Sequence, residues 1–268
     1  NLTSLQDLRL YSNSLSGSIP AELGDLSNLT YLRLDSNQLT GSIPTELGSL
    51  TNLTTLNLSN NQLSGSVPTA LSGINSIDVS SNSNLDRNIL IALYNSANGS
   101  NWTTKTNWNG TAGSECDWYG ITCTSGEITS LSLGNNNLSG SIPAELGSLT
   151  SLQYLNLHSN SLSGSIPSEL GNLTTLTTLQ LGSNSLSGSI PTELGNLTSL
   201  EYLSFYNNSL TGTIPAELGN FTTITSLDLS SNTLTGSIPT ELGNLTTLTT
   251  LQLGSNSLSG SIPTELGN

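Results

Sequence analysis

The chain has 268 residues, and its 18 Asp and Glu against four Lys and Arg give a formal net charge of −14. Nucleic acids and anionic membrane surfaces bind clusters of basic residues, so we expect no nucleic-acid partner. No run of 18 apolar residues is present, and we therefore expect no membrane insertion within this chain.

An internal repeat dominates the sequence. The string L-x-G-x-I/V-P recurs every 24 residues within two blocks and contains all nine prolines of the chain. It ends at Pro20, Pro44 and Pro68, and then at Pro143, Pro167, Pro191, Pro215, Pro239 and Pro263. Residues 169–196 and 241–268 are identical. Such a repeat predicts a solenoid, because one unit cannot bury its leucines alone and stacked units share a core.

One clear unit, residues 152–171, reads LQYLNLHSNSLSGSIPSELG. Its LxxLxL segment alternates apolar and polar residues, which predicts a short strand with one buried face. The amide of Asn160 follows, and a ladder of such amides can satisfy the backbone groups of the turn. The segment LSGSI predicts a second strand with Leu and Ile inward and two Ser outward. The segment PSELG predicts one helical turn that begins at Pro and is closed by Gly.

The pattern LxxLxLxxNxLxGxIPxxLG resembles the plant-type leucine-rich repeat, and the resemblance covers most of the chain. It implies an α/β solenoid, a right-handed superhelix of 24-residue repeats. In that fold a parallel sheet forms the concave face, a second short sheet lies beside it, and short helical turns lie on the convex side.

The repeat is interrupted between its two blocks. Ile89, Leu90 and Leu93 have helical spacing, and Gly99 follows them as a stop signal. A Trp-rich turn and the segment CDWYGITC come next, and this order resembles the N-terminal cap of plant-type leucine-rich repeat proteins. We therefore predict three segments, which are the end of a first array (1–84), a cap-like module (85–125) and a second array (126–268) that continues beyond the chain end.

Cys116 and Cys123 are the two cysteines of the chain. Two cysteines without a nearby His are too few for a metal site, which needs about four ligands. Their spacing is not the C-x-x-C of a redox pair, and a nucleophilic Cys needs a His base, whereas His158 is the sole His of the chain. Together with the cap resemblance, these points favour a structural disulfide in an oxidising compartment. The recurrent Glu of each unit has a local role at a helix start, so we expect neither a metal nor a cofactor.

The concave face offers the best candidate for a ligand-binding surface. Tyrosines are concentrated at the outward positions of the LxxLxL strands, where they supply contact area and a hydrogen-bonding hydroxyl. The patch in the first array is called the unit 1 patch from here on, and it comprises Arg9, Tyr11, Tyr31, Arg33 and Asp35. The patch in the second array is called the unit 2 patch, and it comprises Tyr154, Asn156, His158, Tyr202 and Tyr206. The competing interpretation is that Tyr simply suits an exposed strand position.

Outward hydroxyl residues give an alternative function. In a parallel solenoid, equivalent residues are expected to form straight ranks about 4.8 Å apart. Regular, uncharged Ser/Thr ranks resemble the ice-binding faces of solenoid antifreeze proteins. The candidate ice face comprises Ser163, Ser165, Thr174, Thr177, Thr198, Thr211, Thr213, Thr222 and Thr246. Against this hypothesis, Ser lacks the methyl group that such faces favour.

We therefore predict a non-enzymatic recognition or adhesion module that is secreted or lies at the cell surface and binds a protein, peptide or glycan through its concave face. The alternatives are an ice-binding solenoid, with ice as the partner, and a structural surface rod. We expect no enzyme, because no titratable pair with a plausible base converges on any surface. N-x-S/T sequons such as those of Asn172 and Asn244 leave glycosylation open.

Overall fold

The computed structural model of the chain describes residues 2–64, 68–71, 73–110, 114–124 and 127–267. The chain divides into two compact units. Unit 1 comprises residues 1–90 with 111–115, and unit 2 comprises residues 91–110 with 116–268. In the described part of the chain, no helix has the length and apolarity needed to cross a bilayer.

Short strands recur through both units, because the alternating LxxLxL and LSGSI segments each place one face inward. The strands are β1 (Asp7–Arg9), β2 (Ser16–Ser18), β3 (Tyr31–Arg33), β4 (Gln38–Ser42), β5 (Thr55–Asn57), β6 (Gln62–Ser64), β7 (Ser76–Asp78), β8 (Ile121–Thr124), β9 (Glu127–Ser132), β10 (Ser139–Gly140), β11 (Tyr154–Asn156), β12 (Ser161–Gly164), β13 (Thr178–Gln180), β14 (Ser185–Ser189), β15 (Tyr202–Ser204), β16 (Ser209–Thr211), β17 (Ser226–Asp228), β18 (Thr235–Gly236), β19 (Thr250–Gln252) and β20 (Ser257–Leu258).

Each unit has a main sheet built from its LxxLxL segments. The order is β1-β3-β5-β7 in unit 1 and β19-β17-β15-β13-β11-β9-β8 in unit 2, with parallel pairing except that β8 runs antiparallel to β9. Repeat-equivalent residues pair directly, as Tyr154 does with Thr178, and Thr178 with Tyr202. The central leucines, such as Leu155 and Leu203, are fully buried. The predicted leucine-rich repeat architecture is thus confirmed, and outward residues form straight rows across this sheet.

The second sheets follow a different register. Their orders are β2-β4-β6 in unit 1, and β10-β12-β14-β16 and β18-β20 in unit 2. Ser163 pairs with Ser185, although its repeat equivalent is Ser187. Equivalent residues are therefore displaced by two positions, about 6.6 Å along the strand. The expectation of straight ranks was wrong for this sheet, because the Asn184 side chain takes the Leu162 N–H at the strand start and Gly164 bends the strand with a φ of +80°.

The PxELG segments form short 3₁₀ helices that begin directly after the proline, as in Ser168–Asn172 after the N-cap Pro167. The 3₁₀ helices of the repeats span Ala21–Asp25, Thr45–Ser49, Thr69–Leu71, Ala144–Ser148, Ser168–Asn172, Thr192–Asn196, Ala216–Asn220, Thr240–Asn244 and Thr264–Gly267, and two more, Gly99–Asn101 and Glu115–Asp117, lie in the cap segment. The glycine of PxELG was predicted to end the helical turn, but the structure gives it a different role. A Cβ at Gly171 would clash with the backbone carbonyl oxygen of Glu193 on the next coil, so this glycine permits close packing of adjacent coils.

The substitution Gly195→Ala tests this packing. Its new Cβ would lie 2.5 Å from the carbonyl oxygen of Glu217, and overpacking of this kind costs about 1–3 kcal/mol of unfolding free energy. Gly254→Ala is the matched control, since a Cβ there meets nothing within 4 Å, and we expect a change within about 0.5 kcal/mol. Urea unfolding followed by circular dichroism measures both, and an equal loss in the two variants would contradict the packing role.

A ladder of asparagine side chains connects neighbouring coils, as predicted. Asn160 Nδ2 donates to the carbonyl oxygens of Leu133 and Leu157, each at 2.9 Å. Asn160 Oδ1 accepts the backbone N–H of Leu138 at 2.9 Å. One amide thereby satisfies backbone groups of its own coil and of the preceding coil.

The segment between the two blocks of repeats contains helix α1 (Ser83–Ser96) and a buried aromatic cluster. In unit 2 the ring centroid of Trp108 lies 4.7 Å from that of Trp102 and 5.0 Å from that of Trp118. Tyr94 stacks on Trp108 at 6.0 Å. The indole N–H groups of Trp102 and Trp108 donate to backbone carbonyl oxygens at 2.8 and 2.9 Å. The tryptophans are therefore core residues, because their rings pack together and these two polar atoms have partners.

A disulfide joins Cys116 and Cys123, with their Cα atoms 5.5 Å apart. It closes a short loop that holds Trp118 and ends in β8. The predicted pairing is confirmed, and the bond restricts the unfolded chain in the same segment that carries the aromatic cluster.

Candidate functional site

The candidate site lies on the outward face of each main sheet. Strand alternation determines which residues belong to the site, because each buried leucine is flanked by two residues that face away from the core. Outward residues at the same position of successive repeats form one column. Direct pairing places the residues of a column beside each other, about 4.8 Å apart. The structure therefore brings the residues of each predicted patch onto one surface within their own unit.

In the unit 1 patch, the charged groups bind one another. Arg33 donates from Nε to Asp35 Oδ1 at 3.0 Å and from Nη2 to Oδ2 at 2.9 Å. Its guanidinium carbon also lies 4.3 Å from the ring centroid of Tyr11. Arg9 pairs with Asp7 at 2.8 Å. Tyr11 and Tyr31 keep 41% and 44% of their surface exposed.

These ion pairs further stabilise the charged form of both arginines. The hydrogen bond to Asp35 raises the pKa of Arg33 above its ordinary value, and the hydrogen bond to Asp7 does the same for Arg9. In the unit 1 patch, Arg33 is thus already bound to the Asp35 carboxylate and lies over the Tyr11 ring.

In the unit 2 patch, three residues of the β11 segment form a polar network. Asn156 is buried, and its Oδ1 accepts the backbone N–H of His158 at 3.0 Å and lies 2.7 Å from His158 Nδ1. An amide oxygen only accepts, so Nδ1 carries the proton. Asn156 Nδ2 donates to the Tyr154 hydroxyl at 3.2 Å. The network fixes the Tyr154 and His158 rings, which both remain partly exposed.

Two glycines that the sequence interpretation missed support the rings of this face. A Cβ at Gly134 would clash with the His158 ring, and a Cβ at Gly182 would clash with the Tyr206 ring. Each ring therefore lies over the glycine of the preceding coil. The signal was available in the sequence, since each of these glycines stands one coil before a ring in the same column.

Two further residues belong to this face and were not predicted as site residues. Ser204, on β15, is only 2% exposed, and its Oγ has no hydrogen-bond partner among the described residues. Asp228 pairs in register with Ser204 across β15 and β17. Asp228 Oδ1 accepts both the N–H and the hydroxyl of Ser230, at 3.0 and 2.6 Å.

The candidate ice face divides between two regions of unit 2. Ser163, Ser165, Thr211 and Thr213 are exposed beside the second sheets, where the staggered register prevents straight ranks. Thr174, Thr198, Thr222 and Thr246 are exposed in the turns that follow the 3₁₀ helices. The hydroxyls of Thr177 and Thr222 donate to the carbonyl oxygens of Gln153 and Thr198, each at 2.9 Å. No observation therefore favours the regular free hydroxyl surface that the ice-binding hypothesis required.

The recurrent glutamates lie in the first turn of the 3₁₀ helices, as expected. Some also accept a hydrogen bond from the preceding hydroxyl, as Glu193 does from Thr192 at 3.4 Å. Over the described ranges, no group of three or more His, Cys, Asp or Glu is arranged to hold a metal ion.

Comparison with known families agrees with this geometry. The profile described as Leucine-rich repeat region matches residues 130–267, which is more than half of the chain. The profiles Leucine Rich repeats (2 copies) and Leucine Rich Repeat match residues 27–76 and 4–26. The profile Leucine rich repeat N-terminal domain matches residues 83–124, which hold helix α1 and the Cys pair.

Plant proteins are among the relatives. Leucine-rich repeat protein 2 of Arabidopsis thaliana is 47% identical over 49 residues, which cover 18% of this chain and 22% of that protein. A chain of the BIR3–SERK2 complex from Arabidopsis thaliana is 34% identical with a TM-score of 0.55, over 66% of this chain and 97% of that chain. The Arabidopsis receptor kinase HAESA, solved with the peptide hormone IDA and the co-receptor SERK1, is 27% identical with a TM-score of 0.54.

The match to HAESA covers 99% of this chain and 56% of the HAESA chain. This chain therefore spans about a fifth of the length of the curated relative and just over half of the HAESA chain. The repeated sheets, the asparagine ladder, the cap with its disulfide and the family profiles all agree, and the chain belongs to the plant-type leucine-rich repeat family.

Proposed function

We propose that this chain is a non-enzymatic recognition module that binds a protein, peptide or glycan through the concave sheet face of unit 2. The observation that carries the proposal is the set of partly exposed rings on that face, Tyr154, Tyr202 and Tyr206. A peptide is the favoured ligand, because the related HAESA chain was solved with a peptide hormone.

The spacing of the rings suits an extended peptide. Tyr154 and Tyr202 occupy the same column with Thr178 between them, so they lie about 9.6 Å apart, two strand spacings. In the extended polyproline II conformation, three residues make one turn and span about 9.3 Å. Two side chains three residues apart therefore point the same way, and each can contact one ring. Tyrosine suits this role because it supplies contact area at a low cost in conformational entropy.

The unit 1 patch is a second contact surface within the same proposal. Its exposed rings are those of Tyr11 and Tyr31. Arg33 and Asp35 pair with each other, and Arg9 pairs with the neighbouring Asp7. Charged groups that are already paired contribute more to ligand selection than to affinity, because a ligand must displace or complement an existing ion pair.

We also propose that the module works outside the cell, as a secreted or cell-surface protein. The Cys116–Cys123 disulfide fits an oxidising compartment, and the similar structures include the ectodomain of a plant membrane receptor kinase. The division into segments 1–84, 85–125 and 126–268 belongs to the same proposal, with the cap-like segment preceding the array that carries the unit 2 patch.

A selection from displayed random peptides, with a glycan array in parallel, tests this function on the intact chain. We expect the double substitution Tyr154→Ala with Tyr206→Ala to weaken the selected ligand about 30-fold or more, as for aromatic residues at the centre of an interface. Tyr119→Ala is the control, since Tyr119 is 42% exposed but lies in the cap segment. An unchanged Kd in the double variant, or an equal loss in the control, would refute binding at this face.

A further inference from the structure

We infer that Asn156 sets the hydrogen-bonding polarity of the unit 2 patch, so that Tyr154 donates to, and His158 accepts from, one main-chain amide of a bound peptide. The inference rests on the proposed function, and it names the part of the peptide that this patch binds. It follows from one backbone N–H group, from two side chains that contact the same amide, and from the two hydrogen-bonding groups that these contacts leave unpaired.

The backbone N–H of His158 fixes the orientation of the Asn156 side chain. An N–H group only donates, and this one lies 3.0 Å from one of the two terminal atoms of Asn156. That atom must be the amide oxygen Oδ1, and the other must be the nitrogen Nδ2. Turning the amide over would place two donors against each other. The assignment therefore holds without reference to the other contacts of the side chain.

This orientation determines the protons of both neighbouring side chains. Asn156 Oδ1 lies 2.7 Å from His158 Nδ1, which must carry a proton to bond to an acceptor. In the neutral ring, Nε2 then has a lone pair and no proton. Asn156 Nδ2 donates to the Tyr154 hydroxyl oxygen at 3.2 Å, so the hydroxyl proton is left for another acceptor. Toward a third group, Tyr154 is thus a donor and His158 is an acceptor.

Neither group has a partner in the part of the chain that the structure describes. No residue there accepts the Tyr154 proton or donates to His158 Nε2. His158 Nε2 is not a buried atom, since the Ser204 hydroxyl is the one buried polar side-chain atom that lacks a partner over the described ranges. The Tyr154 and His158 side chains both remain partly exposed. A ligand can therefore meet the two groups together.

The Asn156 amide shows what fits between the two side chains. Its nitrogen contacts Tyr154 and its oxygen contacts His158, so a second amide of the same size can lie over it and reach the same pair. The C=O and N–H of a trans peptide unit point in opposite directions in one plane. The ligand C=O then faces Tyr154, its N–H faces His158, and its dipole is antiparallel to that of Asn156.

The bound amide completes a closed ring of hydrogen bonds. Asn156 donates to Tyr154, Tyr154 donates to the ligand C=O, the ligand N–H donates to His158, and His158 donates to Asn156. All the bonds have the same sense, and bonds in such chains strengthen one another by about 10–30% each.

This polarity favours a peptide main chain over a glycan. A sugar hydroxyl both donates and accepts, as other hydroxyls do, so it gains nothing from a fixed donor and a fixed acceptor. A peptide in the polyproline II conformation has no internal hydrogen bonds, and its N–H and C=O groups are free to bind. Because every residue except proline has these two groups, the contact selects for a main chain, and the neighbouring rings select the side chains.

The first measurement needs no ligand. Because His158 is the sole His of the chain, its ring nitrogens give the only imidazole signals in nitrogen-15 NMR of a chain without a histidine tag. We expect the Nδ1–H tautomer in mildly alkaline buffer, and a mixture of tautomers in Asn156→Leu. A predominant Nε2–H tautomer in the unsubstituted chain would overturn the assigned polarity.

The second measurement uses a peptide selected from the displayed library on the intact chain, with each of its main-chain N–H groups methylated in turn. We expect one methylated peptide to bind about 3- to 10-fold more weakly, the usual effect of one neutral hydrogen bond. In His158→Phe the same methylation should have no further effect, because the acceptor is already absent. Tyr154→Phe keeps the ring and should cost a similar factor.

Asn156→Asp tests Asn156 as a positioning residue. A carboxylate can still accept the backbone N–H two positions along, as Asp228 does from Ser230 at 3.0 Å, so the fold should be retained. It cannot donate to Tyr154, whose hydroxyl then donates to the carboxylate and is lost to the ligand. We expect this variant to weaken the selected peptide at least as much as Tyr154→Phe does.

Asn57→Asp is the matched control for this charge change. Asn57 occupies the equivalent strand position in unit 1, and it accepts the N–H of Ser59 at 3.0 Å in the same way. The Kd of the selected peptide should be unchanged in this variant. An equal loss in both variants would show that added charge, and not the polarity of the patch, weakens the peptide.

The outcomes separate this inference from the proposed function. Suppose that Tyr154→Ala with Tyr206→Ala weakens a selected peptide, but that no methylation is coupled to His158, or that Asn156→Asp has no effect. The recognition face then stands and the amide contact is refuted. A face that selects glycans alone also refutes the amide contact. If no ligand binds at this face, both proposals fail.

Discussion

Replacing Trp118 with alanine is expected to lower the free energy of unfolding by about 3–5 kcal/mol, the usual cost of removing a large buried aromatic side chain. Trp118 is 1% exposed, and its ring lies 5.0 Å from that of Trp108, which in turn stacks on Tyr94. The loss therefore opens a cavity at one end of the cluster. Urea unfolding followed by far-ultraviolet circular dichroism measures the effect without depending on tryptophan fluorescence.

The adjacent residue provides the control for this prediction. Tyr119 is 42% exposed, and Tyr119→Ala leaves its backbone carbonyl free to accept the Trp108 indole N–H as before. We expect a change within about 0.5 kcal/mol, as for other surface substitutions. A similar loss in both variants would show that the cluster does not account for the stability of the cap segment.

Asn232→Ala is expected to lower the free energy of unfolding by about 1–3 kcal/mol, the cost of leaving one buried backbone donor unsatisfied. Asn232 is 8% exposed, and its Nδ2 donates to the carbonyl oxygens of Phe205 and Leu229 at 3.0 and 3.2 Å. Its Oδ1 accepts the N–H of Leu210 at 3.0 Å. Alanine leaves the Leu210 N–H without this acceptor, whereas the carbonyl oxygens of Phe205 and Leu229 still accept from the Nδ2 groups of Asn208 and Asn256, at 3.1 and 2.9 Å.

Asn172→Ala is the matched control for the ladder. Asn172 is exposed at the end of a 3₁₀ helix, and its side chain forms no hydrogen bond within the described ranges. We expect a change within about 0.5 kcal/mol in the same urea titration. If Asn232→Ala were equally mild, bound water rather than the amide would have to satisfy the backbone of the turn.

The main sheets and the asparagine ladder could be predicted because they depend on local periodicity. Alternation around a leucine such as Leu155 decides which residues are buried, and the fixed offset from that strand decides which amide lies over the turn. The cap and its disulfide were predicted from a motif whose residues match position by position. In each case the signal lies within one repeat or one short segment.

The features that the sequence did not reveal depend on contacts between coils. The register of the second sheets arises because an amide of the next coil replaces a strand acceptor, and no single repeat shows this. The packing role of Gly171 likewise depends on the carbonyl of the following coil. For the candidate site, alternation identified which residues face outward, but the pairing of Arg33 with Asp35 and the burial of Ser204 depend on side-chain geometry.

The close approach of each PxELG glycine to the next coil has an evolutionary consequence. The joint between two coils uses the same glycine and the same backbone carbonyl at successive repeats, as Gly171, Gly195 and Gly219 show. A whole repeat can therefore be duplicated or deleted by recombination without creating a new kind of joint. The identical stretches 169–196 and 241–268 flank residues 197–240, which carry Tyr202, Tyr206 and Asp228. Selection can thus diversify the outward residues of an inserted coil while inheritance of the glycine preserves the stacking.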